Sequence, residues 1–118
     1  MSELRVAARY AKSLLDLAEE RGTLEQVKQD MDLFTKTLDE NRELRLLLRN
    51  PIVKHDKKLA ILNAVFGGKV SELTSKFFTI ITQKNRENAL EFIGTEFQRQ
   101  YNQLRGVQVA EVTTATPL

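Results

Sequence analysis

A chain of 118 residues with 42% hydrophobic and 29% charged side chains has the length and balance of one globular domain with a buried core. It contains no cysteine, which excludes a disulfide framework, a thiol nucleophile and a zinc–thiolate site. Its 18 basic and 16 acidic side chains leave a net charge of +2, too even a balance for a protein living on phosphate contacts, so no nucleic-acid partner is expected.

No apolar run approaches the roughly 18 residues a membrane span needs, so direct membrane insertion is not expected. Met1-Ser2-Glu3 has no basic flank and no apolar stretch behind it, unlike a secretory signal. Glu3, Asp16, Glu19 and Glu20 are acids of a kind that a mitochondrial transit peptide avoids.

The first helix is predicted over residues 3–21. Its charged residues Arg5, Arg9, Lys12, Asp16, Glu19 and Glu20 crowd into about 100° of the helical wheel, whereas its apolar residues, from Leu4 to Ala18, spread over about 200°. One core contact asks for a stripe only somewhat wider than ~100°. Gly22 is placed to end this helix in a left-handed turn. Thr23 with Gln26 reads as a capping box for a second helix, over residues 23–39. Its stripe of Leu24, Val27, Met31, Phe34 and Leu38 covers about 80°, the ordinary one-sided case.

Asn41 is a candidate cap for a short third helix through Leu46, Leu47 and Leu48, which Pro51 ends. A fourth helix is predicted over residues 54–66, with Leu59, Leu62 and Phe66 on one side, before Gly67-Gly68. Ser71 is a candidate cap for a fifth, running to residue 84. There Val70, Leu73, Phe77, Phe78, Ile80 and Ile81 span about 160°, the same excess as in the first helix. After Asn85-Arg86-Glu87-Asn88, a sixth helix over residues 89–105 turns Leu90, Ile93, Phe97, Tyr101 and Leu104 inward. Short connections imply neighbouring, mostly antiparallel helices. The fold class is therefore all-α: a six-helix bundle over residues 1–105. Past Gly106, β-branched Val107, Val109, Val112, Thr113 and Thr114 predict a short extended segment over residues 106–118, read as the opening of a missing second domain or as a polar tail.

Two readings fit the wide apolar arcs of the first and fifth helices. Either each has a second neighbour that is a partner, or both are central in the bundle. Small Ala7, Ala11 and Ala18 would let another helix come close.

Chemistry is scarce along the chain. His55 is the sole histidine, set beside Lys54, Asp56 and Lys57, and reads as an exposed side chain with no second histidine or cysteine to share a metal. Gly67-Gly68-Lys69 lacks the upstream glycine spacing of a phosphate loop, and Val70 stands where Ser or Thr would bind magnesium. Asp30 and Asp32 lie on different sides of their helix and are not an acid–base pair. Ser13 and Ser71 have only His55 to serve as a base. Lys54, Lys57 and Lys58 form a basic cluster that reads as a solvated face. No catalytic, cofactor-binding or metal-ligating residue is expected.

The run Ala8-Arg9-Tyr10-Ala11-Lys12-Ser13-Leu14-Leu15-Asp16-Leu17-Ala18 resembles the opening helix of the delta subunit of F-type ATP synthases, whose mitochondrial counterpart is the oligomycin-sensitivity-conferring protein. The resemblance continues through Asn50-Pro51, Lys58-Leu59-Ala60-Ile61-Leu62, Phe66-Gly67, Leu73-Thr74 and Phe77-Phe78. It then takes in Asn85-Arg86, Phe97 with Tyr101, Gly106, Ala110-Glu111-Val112-Thr113-Thr114-Ala115 and Pro117-Leu118, so the ordered set spans nearly the whole chain.

The resemblance implies a non-catalytic peripheral-stalk, or stator, subunit, peripheral on the cytoplasmic face of the bacterial inner membrane. It implies an N-terminal six-helix bundle that docks the N-terminal helix of an alpha subunit of the catalytic head between helices one and five. It also implies a C-terminal domain, beginning where this chain stops, that contacts the b-type stalk subunits. The expected groove lining is Val6, Tyr10, Ser13, Leu14 and Leu17 with Phe77, Phe78 and Ile81, the aromatics serving as anchors. The alternative is a generic helical adaptor for another amphipathic peptide.

Overall fold

The computed structural model describes the backbone of residues 2–115 and the side chains of residues 4–106. Six α-helices follow one another: α1 Ser2–Glu20, α2 Leu24–Glu40, α3 Arg42–Arg49, α4 His55–Phe66, α5 Glu72–Gln83 and α6 Leu90–Ala115. A 3₁₀ turn, Glu87–Ala89, leads into α6. No strand occurs among the described residues.

Helix ends follow local chemistry where the chain supplies it. Gly22 sits at φ +70°, with its N–H on the Glu19 carbonyl (3.1 Å) and the Thr23 N–H on the Ala18 carbonyl (2.8 Å), a complete Schellman closure of α1. Asn85 repeats this closure after α5 at φ +59°, its N–H meeting the Thr82 carbonyl and the Arg86 N–H meeting the Ile81 carbonyl, each at 3.0 Å. Asn41 caps α3 as the sequence predicts, accepting from the Leu44 N–H at 3.1 Å. Asn50, before Pro51, is extended at ψ 112°.

Two expected caps do not form. The Thr23 side chain makes no cap bond to α2, and its hydroxyl turns back to the Ala18 carbonyl at 3.5 Å. The Gln26 amide donates forward to Asp30 Oδ1 at 2.9 Å, so no capping box closes. Ser71 does not cap α5 through its own side chain either. The role passes to Asp30 of α2. Its buried Oδ2 accepts from the Ser71 N–H (2.9 Å), the Ser71 hydroxyl (2.6 Å) and the Thr74 hydroxyl (2.7 Å). A carboxylate at a helix N-terminus satisfies orphan donors and complements the helix dipole, and here it also ties α2 to α5.

The core gathers where these helices converge. Phe34 of α2, Phe66 of α4 and Phe78 of α5 form a ring triad with centroids 4.9 to 5.8 Å apart. Leu90, Ile93 and Phe97 of α6 are sealed from solvent beneath α1 and α2. Ala7, Ala11 and Ala18 are also fully buried, and the helix their small size admits is α6, which lies along α1. The Gln100 amide clips this pair by donating to the Ala8 carbonyl at 3.0 Å. Gly94 marks the close approach of α6 to α2, since a Cβ there would meet Thr35 Oγ1 at 3.1 Å.

Lys58 departs from the solvated cluster assigned to it. Only 2% exposed, it donates to Glu87 Oε2 at 3.0 Å and to the Leu48 carbonyl at 3.1 Å, while Lys54 and Lys57 stay exposed. Its spacing explains this. Lys58, Leu62 and Phe66 recur every fourth residue and share one buried stripe.

The backbone of α6 runs to Ala115, and the extended segment that β-branched composition predicts over residues 106–118 falls largely on residues whose side chains are not described. Side chains from Val107 onward, and the whole of residues 116–118, lie outside the described residues. The pairing of that segment with a second domain lies there too.

Candidate docking site

The surplus apolar surface of α1 resolves into sectors. At about 100° per residue, Ala7, Ala11, Leu14 and Ala18 form one ridge, and all of them are buried. On one side of the ridge stand Val6, Tyr10 and Leu17, each partly buried, and exposed Ser13. Helix α5 divides in the same way. Thr74, Phe78, Ile81 and Thr82 face the core, and Leu73, Phe77 and Ile80 lie on the adjoining face. Thr74 and Thr82 tolerate full burial because their hydroxyls are satisfied, by Asp30 and by the Phe78 carbonyl at 2.8 Å.

Between α1 and α5 a cleft of about 220 Å³ opens to solvent. Ser13, Leu14, Leu17 and Arg21 line it from α1, and Leu73, Lys76, Phe77 and Ile80 from α5. Its floor is apolar, and Ile80 is 48% exposed at its edge. The rim is basic. Arg21 stands at one side, and Lys76 at the other is drawn to Glu72 one turn away at 3.1 Å.

Of the residues expected to line a groove, Ser13, Leu14, Leu17 and Phe77 come together here. Val6 and Tyr10 lie outside this cleft, earlier along α1, with Tyr10 packed against the core margin. Phe78 and Ile81 lie deeper. At 2% and 0% exposure they belong to the core, and they are not among the residues lining this cleft. Ranking α5 by apolar residues alone misplaces its core face, because buried threonines complete that face and rotate its centre toward Phe78. Sequence reasoning also missed Arg21, Leu73, Lys76 and Ile80 as lining residues. The signal for Leu73 and Ile80 was their position on the far side of the α5 arc from Phe78.

Elsewhere, His55 is exposed beside the α3–α4 connection, as its charged neighbours predict. Among the described residues no group of His, Asp and Glu comes together in a way that could hold a metal ion. No helix there is long and apolar enough to cross a membrane.

A six-helix bundle carrying a solvent-open apolar trough with charged edges has the geometry of helix-in-groove recognition. The comparisons with known proteins narrow that class. The family model described as ATP synthase delta (OSCP) subunit matches residues 6–118. The chain is 48% identical over its whole length to the ATP synthase subunit delta of Cytophaga hutchinsonii, covering 65% of that protein. It is 36% identical to that of Salinibacter ruber and 39% identical to that of Chlorobium phaeobacteroides strain BS1, again over its whole length, covering 62% and 66% of them. The chain belongs to the ATP synthase delta (OSCP) subunit family. It spans slightly less than two thirds of the length of these relatives.

Proposed function

We propose that this chain is the N-terminal bundle of a non-catalytic stator component of a rotary, proton-driven ATP synthase. In this reading the α1/α5 cleft receives the amphipathic N-terminal helix of an alpha subunit. That contact ties the catalytic head to the peripheral stalk, at the cytoplasmic face of the bacterial inner membrane. Torque on the head must be resisted by a fixed link, or proton flow uncouples from synthesis. A docked helix supplies such a link without any reacting group. Contacts with b-type stalk subunits belong to the portion of the relatives that this chain does not span.

The observation that carries the reading is the apolar cleft itself, found in a chain of this family between the two helices whose apolar arcs exceed what the core consumes. A ligand helix has its anchors at three- and four-residue spacing, which suits a floor of Leu14, Leu17, Leu73 and Phe77. The basic rim, Arg21 and Lys76, favours acidic side chains beside those anchors.

The test is calorimetric titration of the chain with a synthetic alpha-subunit N-terminal peptide. Ile80→Asp places a charge at the exposed edge of the floor and is expected to lower affinity tenfold or more, about 1.4 kcal/mol or above. Unchanged affinity in both Ile80→Asp and Phe77→Ala would remove this cleft from the interface.

A further inference from the structure

The opposite shoulder of α1 carries a second trough, which the α1/α5 reading does not use. Leu4, Ala8 and Leu15 stand on the side of the buried ridge away from α5, at about 40–80° on the wheel. Leu4 is 55% exposed and Ala8 is only partly buried. Between α1 and α6 lies a shallow, open depression of about 670 Å³, with Ala8, Leu15 and Leu104 along its floor. Arg5, Arg9 and Lys12 of α1 and Arg99 of α6 surround that floor.

The charges are unevenly matched. Lys12 is held by Asp16 at 2.9 Å and Arg99 by Glu96 at 3.0 Å. Arg5 and Arg9 have no carboxylate partner among the described residues. Like charges one turn apart weaken a helix. Both guanidiniums are exposed and open to an anionic group from a partner.

We infer that the α1/α6 trough binds an acidic amphipathic helix of a partner protein, separate from the segment assigned to the α1/α5 cleft. Apolar side chains of that helix cover Ala8, Leu15 and Leu104, and its Asp or Glu side chains pair with Arg5 and Arg9, whose guanidinium forks suit bidentate carboxylate contacts. The depression runs between two packed helices, whose side-chain ridges offer the grooves a third helix packs into, a fit a lipid surface does not use. The absence of any aromatic side chain from the lining disfavours stacked nucleic-acid bases.

The test uses the chain with a synthetic 18-residue peptide of about five helical turns, carrying Leu and Ala on one face and Glu on both flanks. Binding is read by calorimetry and by an amide-shift map. The expected footprint is Ala8, Leu15 and Gln100, with affinity falling as salt rises. Arg5→Glu/Arg9→Glu is expected to lower affinity tenfold or more, whereas Ile80→Asp leaves it unchanged. Both arginines are exposed, so circular dichroism should show an intact fold, and Arg5→Gln/Arg9→Gln serves if it does not. The inference is overturned if the peptide shifts only the α1/α5 cleft, or if a Lys-flanked version binds equally well. Binding of phosphatidylglycerol vesicles or a DNA duplex at these arginines, with none of the peptide, would also overturn it.

Discussion

Asp30 and Lys58 carry more of this fold than their surface-type chemistry suggests. Asp30 gathers the first turn of α5 onto α2, so Asp30→Ala strands the Ser71 N–H and the Thr74 hydroxyl in a buried site. The expected loss is about 2–4 kcal/mol of stability in urea denaturation, with the α1/α5 cleft side chains retained. Lys58 and Glu87 form a buried pair in which Glu87 Oε1 has no protein partner. Lys58→Met leaves a lone carboxylate in the interior and is expected to cost about 3–5 kcal/mol, while Lys58→Met/Glu87→Leu should recover most of it. If the double variant is no more stable than the single, the pair is not the source of the loss.

Tyr101 adds a pH signature at the same scale. Its hydroxyl donates to both Glu25 oxygens, at 2.8 and 2.9 Å, joining α6 to α2. That bond, aided by burial and opposed by the charge of Arg105, raises the phenol pKa above its ordinary value. A raised folded value means the stabilisation is complete below about pH 10 and is lost as pH rises through the folded pKa. Tyrosinate absorbance should show Tyr101 ionising later than a free phenol, and Glu25→Gln should bring it back. None of these roles could be read along the chain, because Asp30 and Ser71, Lys58 and Glu87, or Glu25 and Tyr101 are brought together only by folding.

Among the elements, boundaries followed wherever a residue acts on its own backbone. Gly22 and Asn85 close α1 and α5 in left-handed geometry, and Asn41 caps α3. Gly22→Ala is expected to cost about 1 kcal/mol in thermal denaturation, since Cβ is disfavoured at φ +70° although nothing within 4 Å would obstruct it. A loss that matches a solvent-exposed Gly→Ala elsewhere would mean the turn relaxes. The capping box at Thr23 failed because Gln26 found an acceptor one turn further along the same helix, in Asp30.

At the scale of the whole molecule, the proposed docking rests on how α1 divides its circumference. Its buried ridge faces α6 and the core, and its two shoulders face separate troughs, an apolar one toward α5 and a basic-rimmed one along α6. Ile80→Asp should therefore leave urea stability within about 0.5 kcal/mol of the parent, because the side chain is half exposed, while weakening the alpha-subunit peptide. The same substitution at Ile81, fully buried one residue later, should abolish folding.

The amino-acid order alone determined the number of helices, most of their ends, the excess apolar surface on α1 and α5, and membership of the family. Periodicity and turn chemistry act locally and leave their mark in one dimension. The division of that excess between core and cleft was decided only in three dimensions. Phe78 and Phe77 are neighbours of equal hydrophobicity, and the partner helix each one meets assigned the first to the interior and the second to the trough.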